Sequence, residues 1–181
     1  MKIIADHKVP FAVRFLRNDR LIHSPVKQVR GGGHSMVPNF SSTKGIQIAM
    51  SHFNDITYDA STQTVDVGAG CLWDEVYPFM APLGRNVVGG YAAEGVGVGG
   101  WLLGGGYSLK SNQFGLGIDN IVKYEVVLTD GRVLTVMADD EEYSDLFQAL
   151  RVWSTFRVIH TRRLNLNREA PTTLALSRSS L

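Results

Sequence analysis

Nine consecutive residues, Arg30-Gly31-Gly32-Gly33-His34-Ser35-Met36-Val37-Pro38, limit what this chain can fold into more than any other stretch. Three successive glycines carry no Cβ and reach positive φ at little cost. They therefore suit a turn against which a bulky ligand lies directly, held by main-chain amides. His34 then faces that ligand. A glycine triplet alone is also compatible with an exposed turn, so the rest of the chain has to decide.

Three further glycine-punctuated segments follow. They are Val67-Gly68-Ala69-Gly70-Cys71-Leu72-Trp73, then Gly95-Val96-Gly97-Val98-Gly99-Gly100-Trp101-Leu102-Leu103-Gly104-Gly105-Gly106-Tyr107-Ser108, and Phe114-Gly115-Leu116-Gly117-Ile118-Asp119-Asn120-Ile121-Val122. Between them the apolar pattern alternates between strand and helix periods. Val9 to Arg14 reads as a strand entered through Pro10, after a few helix-compatible residues at Lys2 to His7. Gly45 to Met50 is another strand, and Asp55 to Tyr58 pairs with Thr64 to Val67 as a hairpin across residues 59–63. Trp73, Val76, Tyr77 and Met80 recur at helical spacing, which predicts a helix over Leu72 to Ala81 ended by Pro82 and Gly84. Ile121 to Leu128 turns at Thr129-Asp130-Gly131-Arg132 into Val133 to Val136, a second hairpin. A last helix is capped by Asp139 or Asp140 and carries Tyr143, Leu146, Phe147 and Leu150 as one apolar stripe.

Gly95, Gly97 and Gly100 also fit the dinucleotide pattern G-x-G-x-x-G, with Asp119 at the distance of a ribose-binding acid. That reading requires a helix directly after the glycines. Trp101-Leu102-Leu103 instead runs into Gly104-Gly105-Gly106, and three glycines cost a helix about 3 kcal/mol. A Rossmann fold is therefore rejected. Ser108 lacks the second glycine of a nucleophile elbow, and the five histidines show no metal-ligand spacing. A net charge of +1 gives no reason to expect a nucleic-acid partner, and no apolar run of about 18 residues exists to span a bilayer. The single cysteine, Cys71, excludes an internal disulfide and reads as a buried small hydrophobe.

The order and spacing of the four segments resemble the FAD-binding domain of the p-cresol methylhydroxylase and vanillyl-alcohol oxidase superfamily, most closely its berberine-bridge-enzyme-like branch. The likeness runs from about Lys2 to Arg151. It implies an α+β domain of short strands with flanking helices, incomplete at both ends, that binds FAD. It also implies roles. The backbone of Gly31, Gly32, Gly33, His34 and Ser35 would bind the pyrophosphate, and His34 would bond through a ring nitrogen to the flavin 8α-methyl carbon. Such a bond makes the flavin a stronger oxidant. Gly97, Val98, Gly99, Gly100, Gly104 and Gly105 would pack against the diphosphate and ribityl chain. Asp119, Asn120 and Val122 would lie near the adenine half, or form only a capped turn before a strand. Relatives with a doubly attached flavin use a cysteine just before Gly-Val-Gly-Gly, and residues 91–94 contain none.

The chain departs from the resembled pattern in three places. Joining Arg14 directly to Gly31 restores an unbroken strand-to-loop phrase, so residues 15–30 read as an insert or as a short intron translated in frame. The expected strand-helix unit before Lys2 is missing. Residues 152–181 keep a Phe156-x-Val158-Ile159-x-Thr161 echo and then read as a disordered tail from Arg162 onward. The resemblance leads to the expectation that the substrate domain lies outside these residues, so no catalytic base is assigned, and a small-molecule substrate is expected only where such a domain is present. Localisation has no signature, since a signal peptide would precede Met1. Three functions stay open: a FAD-dependent oxidoreductase domain acting on an alcohol or sugar with oxygen as acceptor, a FAD-binding module without turnover, and a non-functional truncated product.

Overall fold

The computed structural model describes residues 2–4, 27–91, 94–128, 132–152 and 160–167. Two sheets organise them. The first is parallel, in the order β1-β3-β2, from β1 (Lys2–Ile4), β2 (Lys27–Arg30) and β3 (Ile46–Ala49). The second is antiparallel, in the order β4-β5-β8-β6-β7, from β4 (Ile56–Asp59), β5 (Thr64–Gly68), β6 (Ile121–Val127), β7 (Val133–Met137) and β8 (His160–Asn167). Helices α1 (Trp73–Met80), α2 (Val98–Leu103), α3 (Ser111–Phe114) and α4 (Ser144–Val152) flank them.

Local chemistry explains the elements that the sequence predicts. β4 and β5 pair antiparallel from Ile56↔Val67 to Asp59↔Thr64, and β6 pairs with β7 from Lys123↔Met137 to Val127↔Val133. α1 buries Trp73, Val76 and Met80, then tightens into a 3₁₀ turn at Ala81–Leu83 closed by Gly84 at φ 65°. The Leu72 amide donates to the Glu75 carboxylate at 2.7 Å, which satisfies one orphan N–H at the helix start. Asp140 accepts from the amides of Glu142 and Tyr143 ahead of α4. α4 then seats Phe147 edge-on to Tyr124 of β6, with ring centroids 5.4 Å apart.

Three expectations are corrected. Lys2 to Ile4 is a strand, not part of a helix: the β-branched pair Ile3 and Ile4 sits in parallel register with Ile48 and Ala49. The strand that enters the glycine loop is Lys27–Arg30, the last four residues of the stretch read as an insert, in register from Lys27↔Ile46 to Arg30↔Ala49. The strand expected at Val9 to Arg14 lies outside the described residues. Third, Arg162 to Asn167 is no tail but most of β8, between β5 and β6, in register from Gly68↔Arg163 to Thr64↔Asn167. β5 and β6 leave facing rows of unpaired N–H and C=O groups. A polar strand can fill that gap because the main chain supplies the bonds.

One buried group tests the packing. The Tyr124 hydroxyl is enclosed without a hydrogen-bond partner among the described residues, so Tyr124→Phe should leave unfolding free energy unchanged or raise it by up to ~1 kcal/mol. Phe147→Ala, by contrast, should cost about 3–5 kcal/mol. Urea denaturation followed by tryptophan fluorescence checks both, and a clear loss in Tyr124→Phe would contradict this packing.

Candidate functional site

The site begins where β2 ends. The Met50 amide donates to the Arg30 carbonyl at 2.8 Å, fixing the last strand residue, and the chain then leaves through Gly31. It runs straight onto a second backbone. A Cβ built on Gly32 would lie 2.7 Å from both N and Cα of Gly97, and one built on Gly97 would lie 2.5 Å from the Gly32 nitrogen. No side chain fits at either position. Gly33 then turns the loop with φ at +77°.

Gly97 is held from the opposite side by the core. Leu72 and Gly97 form an antiparallel bridge, the Trp73 amide donates to the Val96 carbonyl at 3.0 Å, and the Val98 amide donates to the Cys71 carbonyl at 2.9 Å. The Gly95 amide donates to the Asp74 carboxylate at 2.6 Å. From Gly97 the chain enters α2, so a helix does follow these glycines, contrary to expectation. It lasts six residues and stops at Gly104, whose amide donates to the Gly100 carbonyl at 3.1 Å. The later glycines end the helix rather than interrupt it. With an antiparallel sheet beside it, this is not a Rossmann unit.

Together the two segments line a cleft of about 390 Å³, bounded by Gly31, Gly32, Gly33, His34, Ser35, Gly97 and Gly100. Gln28, Val29, Arg30, Phe40, Ser41, Val96 and Trp101 complete it. Gln28 donates to the Phe40 carbonyl, and Gln47 donates to the Ser41 carbonyl at 3.1 Å, so two strand glutamines hold the far wall. Among the described residues that line the cleft, Arg30 is the one lysine or arginine and none is Asp or Glu. A Cβ on Gly100 would meet nothing within 4 Å, so this glycine leaves open space on the cleft side. A glycine turn of positive φ with one cation and, among the described residues, no acid fits the pyrophosphate of FAD.

The other expected site residues lie around this cleft rather than in its wall. Val98 is fully buried in the core, and Gly99 backs onto the Ala69 carbonyl. Gly104 and Gly105 close α2. Asp119 and Asn120 sit in a 3₁₀ turn, Gly117–Asn120, where the Leu116 amide donates to Asp119 at 2.9 Å and Arg151 pairs with it at 2.6 Å. The Asn120 amide group donates to the carbonyls of Phe114 and Leu116, and Val122 is exposed on β6. Arg30, Trp101 and Phe40 also line the cleft and are not among the residues expected from the sequence. Arg30 and Trp101 each adjoin a cradle glycine, a usable signal, whereas Phe40 reaches the wall only through loop folding.

Cys71 is fully buried, and burial, with Glu75 nearby, pushes its thiol up to about 11, so it is an inert core residue. Among the described residues no group of His, Cys, Asp and Glu could hold a metal ion, and no helix is long and apolar enough to cross a membrane.

A family model described as FAD binding domain matches residues 23–137. FAD-dependent monooxygenase FUP4 of Fusarium proliferatum is 44% identical over 124 residues, which cover 68% of this chain and 23% of that protein. The chain thus spans about a quarter of the length of the curated relatives it matches. Berberine bridge enzyme, solved in complex with (S)-reticuline, superposes with a TM-score of 0.75 at 25% identity, covering 91% of this chain and 33% of that one. Glucooligosaccharide oxidase from Acremonium strictum, with its 6-S-cysteinyl, 8α-N1-histidyl FAD, superposes with a TM-score of 0.64 at 26% identity. The match covers 78% of this chain and 29% of that one.

Two alanine substitutions separate fold from cradle. Gly32→Ala pushes two backbones apart and should lower the melting temperature and abolish FAD binding together. Gly100→Ala adds a methyl to open space inside a helix, so stability should hold or rise by roughly 1 kcal/mol while FAD affinity falls. Thermal melts and flavin titrations read the two effects independently.

Proposed function

The chain belongs to the FAD binding domain family, and from that premise we propose that it carries the cofactor half of a flavin-dependent oxidoreductase oxidising an alcohol or a carbohydrate with dioxygen as acceptor. The observation that carries this reading is the convergence of Gly31–Ser35 with Gly97 and Gly100 on one cleft. When bound, FAD supplies the two-electron acceptor. The chain's own residues bind and orient it: the amides of Gly31 to Ser35 hold the pyrophosphate, and Gly97 and Gly100 lie against the diphosphate and ribityl chain. Val98, Gly99, Gly104 and Gly105 support that second contact. Asp119, Asn120 and Val122 are assigned to the adenine end. In this reading the substrate pocket and the proton-accepting base belong to the length of the relatives that the chain does not span.

His34 is assigned the covalent link to the flavin. It lines the cleft directly after Gly33 and is exposed, so its ring is open to a ligand lying there. One observation favours a second reading, a non-covalent FAD-binding module without turnover. Arg30 and the strand that sets the loop belong to residues 15–30, which we propose to be an insert or a retained intron, and that origin would displace His34 from the ring.

Acid precipitation distinguishes the two. Covalent attachment predicts a yellow pellet from the wild-type protein and a colourless one from His34→Ala, with free FAD in the supernatant if that variant still binds cofactor. Intact FAD released from both proteins would leave the non-covalent module. Colourless protein before precipitation would contradict both readings.

A further inference from the structure

We propose that Asn39 is the acceptor of an N-linked glycan, and that the sugar covers an apolar patch on the same loop. The inference stands apart from the cofactor reading, because it concerns the outer side of the loop and not the cleft. Sequence pattern, backbone, exposure and surface chemistry all bear on it.

Asn39-Phe40-Ser41 has the N-x-[ST] pattern with a residue other than proline in the middle. No other asparagine in the chain is followed two residues later by serine or threonine. In the reaction Asn39 Nδ2 bonds to the anomeric carbon of an oligosaccharide, the bond from that carbon to a lipid pyrophosphate breaks, and the lipid pyrophosphate leaves as the amide gives up one proton. The co-reactant is a lipid pyrophosphate-linked oligosaccharide, so the proposal also places the chain on a secretory route.

The backbone accounts for part of the residue choice. The Phe40 amide donates to the Val37 carbonyl at 3.1 Å, with Pro38 second in the turn and Asn39 third at φ 62°. That is the arrangement of a type II turn, whose third position takes glycine or asparagine. Glycine would meet the conformational demand with the least strain. Asparagine adds a side-chain amide, and that amide makes no hydrogen bond among the described residues. The main chain alone holds the turn, since the Ser42 amide and hydroxyl donate to the Asn39 carbonyl at 3.1 and 3.0 Å.

Asn39 is exposed, and it stands next to Phe40 and Ser41, which line the cleft, without lining it itself. A glycan there roots outside the rim. Around it Met36, Val37 and Phe40 are 94%, 60% and 67% exposed. An apolar cluster of this kind on a surface marks an interaction site or an aggregation liability. A bulky, hydrated sugar attached among these side chains covers them and holds other copies away.

The full 181-residue chain, translated behind a cleavable secretion signal with microsomal membranes, reads acceptor use during import, before folding intervenes. Peptide N-glycosidase digestion in heavy-oxygen water then converts a glycosylated asparagine to an aspartate of altered mass. The expected result is one glycan, mapped to Asn39, lost in Asn39→Gln and in Ser41→Ala and kept in Ser41→Thr. No digestion shift in the wild-type chain, or a shift that survives Asn39→Gln, would overturn the proposal. Protein purified from the organism that makes it should show the same converted residue, and unmodified Asn39 there would overturn it equally. For the covering role, enzymatically deglycosylated protein should bind more anilinonaphthalene sulfonate than the glycosylated form, and Met36→Ser combined with Val37→Ser should abolish the difference. Equal dye binding by the two wild-type forms would contradict that role.

Discussion

The architecture of the site depends on one contact, the crossing of two polypeptide backbones at Gly32 and Gly97 with no side chain between them. A Cβ at either residue would fall well inside contact distance of the other main chain. Interior packing tolerates so little overlap that the loops would have to separate. Separation would open the cleft at its floor. Loop 31–35 and the start of α2 form one surface only because both residues are glycine.

That contact is maintained from two directions by ordinary packing. On one side, β3 fixes β2, and the Met50 amide fixes Arg30, so Gly31 leaves the parallel sheet from a defined point. On the other, the Trp73 and Val98 amides clasp the segment carrying Gly97 to the start of α1. Trp73 is central here. It is buried, stacks on Tyr77, and meets Trp101 edge-on with ring centroids 5.0 Å apart. Trp101 in turn lines the cleft. Core aromatic packing therefore sets one wall of the cleft directly, through two indole rings in contact.

Much of this was legible in the sequence, for identifiable reasons. Trp73, Val76, Tyr77 and Met80 spell out a helix because one face of α1 is buried, and both hairpins announce themselves through alternation and turn residues. The cradle glycines were legible because close backbone approach leaves no substitute for glycine. Elements whose existence depends on distant partners were not. β1 is three residues long and is defined by its register with β3, and β8 is polar and defined by the gap between β5 and β6. The six-residue α2 was missed because glycine propensity argues against it, while its bridge to Leu72 and the burial of Val98 and Leu102 outweigh propensity. Arg30 was masked differently: it stands beside the glycines, yet only the folded chain lays its guanidinium over Gly33.

The central claim is that main-chain amides of two separate glycine segments hold one FAD. Hydrogen exchange measured peptide by peptide, with and without FAD, tests it most directly, because exchange reports on the amides themselves. The account predicts slowed exchange in peptides covering both Gly31 to Ser35 and Gly97 to Trp101, with β7 and the β4–β5 hairpin unchanged. Protection in only one of these segments, or protection spread evenly over the chain, would contradict a cradle built where Gly32 meets Gly97.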